Sequence, residues 1–274
     1  MDKVILLGSL VALALLGLTP PTATTTARFV PALVAAAFCL AALGLAALGI
    51  AAPGPAAPGR ATPSPAAPSS AVRTRPSPVL AVTVLVFGIA SLMGCGVLWQ
   101  ASLLIALLAA AAVTRLVPSA QFPPIRRGRV PVALTLFAGL ITPGALVGWV
   151  YLLRPDLSDL LQLIPDRPLA ILALGGLVFA VANATAEELV WRGVLQPSLT
   201  TEFGSLPALL LQAASFGLIH AHGFPRGVVG VLLAGTWAVL LGILRNLSEG
   251  LLAAILAHVV ADATIAAIVI WLAR

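Results

Sequence analysis

Charge is what this sequence has least of, and its scarcity excludes most of what a chain of this length can be. Asp, Glu, Lys and Arg make up 9% of the 274 residues, while hydrophobic side chains make up 60%. Soluble domains carry roughly 25% charged residues. A soluble core of this size could not hide so much apolar surface, so lipid must solvate it. The net charge of +6 is too thinly spread to form a nucleic-acid surface, and it fits arginines in cytoplasmic loops instead. Cysteine is nearly absent. Cys39 and Cys95 both lie in apolar runs, which suits packed or lipid-facing thiols and gives no sign of a disulfide framework. No alternating strand pattern of a β-barrel is present, so each span reads as helix, the form that satisfies its own backbone in lipid.

These exclusions leave an all-α, polytopic transmembrane bundle of eight or nine helices. Apolar runs long enough to span lie near 4–19, 29–52, 79–97, 99–117, 130–153, 168–191, 206–221, 227–245 and 250–272. The count depends on whether the chain breaks at Gly94-Cys95-Gly96. Residues 4–18 after Lys3 have the look of a signal-peptide core, but the later spans make them a first anchor. Residues 53–78 are rich in Pro, Ala, Gly and Ser, with Arg60, Arg73 and Arg75 and no acid. That composition cannot bury a core and reads as a flexible linker. It separates an N-terminal hairpin (1–52) from helices of unassigned role (79–167) and a C-terminal unit (168–272).

Arginine placement orients the chain. The linker and the loop 118–129, with Arg126, Arg127 and Arg129, are two spans apart and face the cytoplasm together. The loop 154–167 sets Arg154 and Arg167 against Asp156, Asp159 and Asp166 and falls outside.

Against this apolar background stand three polar runs: Glu187-Glu188 with Arg192, Phe216 with His220, and His258 with Asp262. Two of the three histidines in the chain lie there. A charge at mid-bilayer costs roughly 2.5–3.5 kcal/mol on insertion scales, so such residues usually have a function. Residues four apart share a helix face. Glu188 and Arg192 can neutralise each other, and Asn183 and Glu187 share the neighbouring face. Glu187 is then the acid without a local cation. Gln212, Phe216 and His220 form one stripe, and His258 and Asp262 another.

A turn at Gly204-Ser205-Leu206-Pro207 would bring Glu187 and His220 to one depth, with Pro197 bending the first arm. A turn at Asn246-Leu247-Ser248-Glu249 would put His258 two to three turns inside the membrane. His222 and Trp191 read as interfacial or packing residues, and the sequons at Asn183 and Asn246 as chance matches.

The chemistry such a cluster supports is water activation. A desolvated carboxylate can serve as general base beside a histidine that passes a proton on. A second histidine and an aspartate could polarise a carbonyl oxygen. Alternatively, Glu187, His220 and His258 could bind a divalent metal such as zinc, although no HExxH run is present. A proton- or cation-conducting transporter would also keep buried carboxylates, but no internal repeat is evident. A membrane scaffold would keep them as glue between helices.

The three runs, in this order, resemble the CAAX-protease and bacteriocin-processing (CPBP, or Abi) family of intramembrane proteases, whose pattern is EExxxR, FxxxH and HxxxN or HxxxD. The resemblance covers about residues 168–272. It implies an endopeptidase acting on a membrane-associated or lipidated protein or peptide. Glu187 and His220 would activate water, and His258 and Asp262 would stabilise the oxyanion or bind metal. Glu188, Arg192 and Phe216 would organise the site. Members are described as metalloproteases and as glutamate-type proteases, so Glu187, His220, His258 and Asp262 are also the candidate metal donors. The family's known members cleave prenylated CAAX proteins. The Ala-, Arg- and Pro-heavy composition suits a bacterial plasma membrane, where a different substrate is expected.

Overall fold

A computed structural model describes residues 126–274. The expected spans near 4–19, 29–52, 79–97 and 99–117, the linker 53–78 and both cysteines lie outside the described residues. Helices α1 (Val132–Leu153), α2 (Ser158–Leu161) and α3 (Leu169–Glu188) come first. A π-helical segment, Leu189–Leu195, leads into α4 (Gln196–Phe203) and α5 (Ser205–Ile219). A 3-10 turn at His220–His222 precedes α6 (Gly227–Ser248) and α7 (Leu252–Leu272). Among the described residues there is no strand.

Among the described residues, four helical stretches are long and apolar enough to cross a membrane: Val132–Leu153, Leu169–Phe203, Gly227–Ser248 and Leu252–Leu272. The burial pattern is inverted relative to a soluble protein. Large side chains such as Leu140, Leu152 and Trp271 stand about three-quarters exposed, while Ala138, Ala180, Ala184, Ala238 and Ala253 are fully buried. Small inward residues let helix backbones approach closely where the hydrophobic effect cannot drive association.

Contacts along the helices fix their directions. Gly139 faces Val260 and Trp149 packs with Ile268, so α1 runs parallel to α7. Gly176 faces Ala266 and Ile270 while Gly193 faces Leu251, so the α3–α4 helix runs antiparallel to α7. Helices α5 and α6 form an antiparallel hairpin, close-packed where Gly217 meets Val231 and Gly235. A Cβ on Gly217 would lie 2.6 Å from the Val231 carbonyl oxygen. Gly217→Ala is therefore expected to cost about 1–3 kcal/mol, as overpacking does, read as a lowered melting temperature in detergent.

At one end, Leu251 and Leu252 donate their N–H groups to Arg126 and Arg127 carbonyls (2.9 and 3.2 Å), and Arg129 N–H reaches the Ser248 carbonyl at 2.8 Å. This pins the arginine-rich stretch to the α6–α7 turn. The contact needs glycine on both sides, because a Cβ on Gly128 or Gly250 would run into the opposing backbone. At the other end, Arg226 grips Asp159 through two bonds of 2.7 and 3.1 Å. Of the acids of this loop, Asp159 thus pairs with Arg226, and Asp156 adds its backbone carbonyl at 2.9 Å. The Arg226 guanidinium holds the Asp159 carboxyl below the usual carboxylate range. A depressed carboxyl stabilises the fold above its unfolded value, about pH 4, and the gain is lost as pH falls through the lower folded value. Asp159→Asn should lower the melting temperature slightly at pH 7 and not at pH 2, with salt shrinking the difference.

Two boundaries differ from the sequence expectation. The span near 168–191 continues to Phe203, because the turns before Pro197 are π-helical. A proline lacks the N–H of the regular ladder and its ring crowds the carbonyl four residues back, and a wider turn accommodates both. The turn at 246–249 is also shorter than expected: α6 runs to Ser248, and Glu249 caps it in the left-handed region with φ 54°. His258 consequently lies six residues into α7, fewer than two turns and about 9 Å along its axis.

Candidate active site

Helix α3 delivers Glu187 and Glu188 at its last turn, where the helix widens into the π-helical segment. Such bulges often mark functional sites. All three ionisable groups of this run are buried: Glu187 is 1% exposed, and Glu188 and Arg192 are 0% exposed. The burial of Glu188 and Arg192 is tolerated because they are paired. Arg192 Nη1 donates to Glu188 Oε1 at 2.7 Å, and Nη2 donates to the Ala238 carbonyl at 3.2 Å. The guanidinium also lies 4.8 Å over the Phe216 ring.

Helix α7 brings His258 and Asp262 against this run. His258 Nδ1 lies 2.8 Å from Glu188 Oε1. Since Glu188 is already the anion of Arg192, the histidine donates and its Nε2 is turned inward. There Nε2 faces Glu187 Oε2 at 3.4 Å and Asp262 Oδ1 at 3.7 Å. Both are long for a hydrogen bond.

Asn183, which the sequence offered only as a neighbour of Glu187 on the same face, lies at the middle of the arrangement. Its amide nitrogen donates to Glu187 Oε1 at 3.0 Å and to Asp262 Oδ2 at 2.9 Å. The i, i+4 spacing pointed to the first bond. Nothing in the sequence pointed to the second, which joins residues 79 apart.

His220 reaches the site from the end of α5. Its Nδ1 lies 2.8 Å from the Phe216 carbonyl. A carbonyl only accepts, so Nδ1 carries the proton, and in the neutral ring Nε2 keeps a free lone pair. Phe216 stands between the polar groups: its ring centroid is 4.6 Å from His220, 5.9 Å from His258 and 5.4 Å from Trp191. The imidazole that stands next to Glu187 is that of His258, with Nε2 at 3.4 Å from Oε2. Trp191 is a packing residue, fully buried and bonded to Ser215 at 3.2 Å. His222 is exposed in the turn after His220.

A cavity of about 600 Å³ opens in front of His220, His258 and Asp262. Its other walls are apolar, with Phe137 and Ile141 from α1 and Leu233, Trp237, Leu240 and Ile243 from α6. Phe137 and Ile141 are about half exposed on the outer surface, so the cleft opens sideways between α1 and α6. Glu187 is not on its wall; it lies behind His258 and Asp262. Gln196 bonds Asn246 near the end of α6 at 2.9 Å, and Glu188 is eight residues before it. The site therefore lies about 12 Å below the Arg126–Arg129 end of the bundle, by the rise of a helix.

Among the described residues, no group of three or more His, Cys, Asp and Glu side chains is placed to hold an ion. The Nδ1 of His220 and of His258 is engaged, which leaves the Nε2 of each ring as its remaining donor atom. No step below runs through a metal.

Residues 169–264 match the family model described as type II CAAX prenyl endopeptidase Rce1-like. This segment is Rce1-like. The match contains both carboxylates, the arginine, both site histidines and Asp262, and it confirms the resemblance to CAAX-type proteases. A peptidase acting at the membrane is what an Rce1-like segment implies, and the four apolar helices fit a multi-pass membrane protein. No curated protein and no solved structure matches the chain.

Proposed function

We propose that this protein is an intramembrane endopeptidase in which Glu187 and His220 activate water against a peptide bond held in the cleft. The observation that carries the reading is the pair of free acceptors. No group donates to Glu187 Oε2, and His220 Nε2 keeps its lone pair while its other nitrogen is anchored. Glu188 Oε2 and Asn183 Oδ1 are also buried without a donor, but Glu188 is already paired through Oε1 with Arg192 and His258.

A water admitted between His258 and Asp262 would give a proton to Glu187 Oε2, which lies behind them, as its oxygen attacks the carbonyl carbon and the charge moves to the carbonyl oxygen. As the C–N bond breaks, the amine nitrogen takes up that proton, while His220 Nε2, on the cleft wall, accepts from the remaining O–H of the attacking water. His258 is held by Glu188 through Nδ1, and Nε2, when it carries a proton, would present N–H to the developing oxyanion. Asp262 has a different part from the one its position suggested. Its Oδ2 accepts from Asn183, and a carboxylate has no proton to donate, so it orients the site and leaves the oxyanion to His258.

The cleft argues for the substrate. Its volume is in the range of small-ligand sites, its walls are apolar, and it opens between α1 and α6 towards lipid. A lipidated or membrane-embedded peptide would enter there, with its scissile bond about 12 Å below the arginine-rich face. The test compares newly formed protein termini in cells making wild type and Glu187→Gln at equal membrane abundance. Termini formed only by the wild type support the reading and expose the substrate. Identical termini overturn it.

A further inference from the structure

The carboxylates of Glu187 and Asp262 are held in a way the family motifs do not explain. Glu188 has both Arg192 and His258 as donors. Glu187 and Asp262 have neither a guanidinium nor a backbone N–H. Among the described residues, the one side chain that hydrogen-bonds to either of them is Asn183, and it bonds to both. Two acids from different transmembrane helices therefore share one neutral donor.

The orientation of that amide follows from its surroundings. Rotated by half a turn, it would aim its oxygen at two carboxylate oxygens, so the nitrogen must face them. Asn183 Oδ1 is left buried and unpartnered as a result. An unmade bond of this kind is costly, which marks the residue as selected for its two N–H groups. Serine offers one donor, aspartate none, and glutamine is longer by one carbon. With Oε1 and Oδ2 held by the amide, Oε2 and Oδ1 both turn to His258 Nε2. Asn183, Glu187, His258 and Asp262 thus close a ring that fixes which oxygen of Glu187 is free.

We infer that Asn183 is a positioning residue for hydrolysis, setting the orientation of Glu187 and Asp262 from behind without touching substrate. The inference rests on the protease reading above and names a residue that the family pattern leaves out. Asn183 is not on the cleft wall. Its loss should therefore slow the chemical step and leave substrate binding alone.

The test uses the full-length protein in detergent and a peptide spanning the cut site found by the Glu187-dependent termini. Asn183→Leu keeps the size and removes both donors, and Asn183→Asp keeps the shape and replaces donors by acceptors. Each should lower kcat about 100-fold, the scale of a 1 Å misplacement, with KM within about threefold of wild type, as expected when only transition-state interactions are lost. Rates are compared per folded protein, measured by melting. Either variant, once folded, with kcat near wild type overturns the inference and leaves the protease reading standing. A parallel rise in KM in both variants also overturns it, because the role would then be one of shaping the cleft. Termini unchanged by Glu187→Gln would overturn the protease reading and this inference together.

Discussion

Replacing Glu187 by glutamine is expected to leave a folded protein whose cleavage rate falls about a thousandfold, within the 10²–10⁴ range that general-base catalysis contributes. The substitution is close to silent structurally. The glutamine carbonyl can accept the Asn183 bond as Oε1 does, and its NH2 can face His258 and Asp262 where Oε2 now stands. What is lost is a carboxylate oxygen with no donor, outside any ion pair with arginine, and its capacity to take a proton. Melting temperature should stay within a few degrees of wild type. His220→Gln should fall by a similar factor, because the free nitrogen it removes is the second acceptor. A Glu187→Gln variant that cleaves at the wild-type rate would show that the proton goes elsewhere.

The largest stability effect is expected at Arg192. Its guanidinium is fully buried, neutralises Glu188 at 2.7 Å, supports the Ala238 carbonyl and lies over Phe216. Arg192→Leu leaves Glu188 buried with His258 alone. Removing one partner of a buried pair costs about 3–5 kcal/mol, or on the order of ten degrees in melting temperature for a unit of this size. Replacing both partners by leucine should recover most of that loss, since an apolar pair of similar volume is often as stable as the ion pair. Activity should not return, because His258 Nδ1 would have lost the acceptor that sets its ring. Stability regained without activity is the outcome that separates a site-organising pair from mere glue between helices. Recovery of both would reduce Glu188 and Arg192 to glue.

Much of this protein was legible in its sequence. Composition alone gave a membrane bundle, since 9% charge and 60% hydrophobic residues leave lipid as the one solvent that suits the chain. Among the described residues, the long helices fall on the apolar runs, and the turn at Gly204 followed from glycine. The Glu188–Arg192 pair and the Asn183–Glu187 bond followed from i, i+4 spacing, because neighbours on one helix face meet whatever the tertiary arrangement. The order of the three polar runs was enough for a family resemblance that the match over residues 169–264 bears out.

What the sequence did not determine involves two helices at once. Pro197 announced a break, but whether the chain bends or absorbs it in a π-helical segment depends on the packing of α3 and α4 against α5 and α7. Glu187 and His220 fitted one depth by counting residues. Azimuth is decided by interhelical packing, and Phe216 takes the space between while His258 comes to Glu187. The bond from Asn183 to Asp262 spans 79 residues and exists because small side chains let α3 and α7 pack closely. Periodicity along a chain fixes which residues share a face, and only close packing between helices fixes which faces meet.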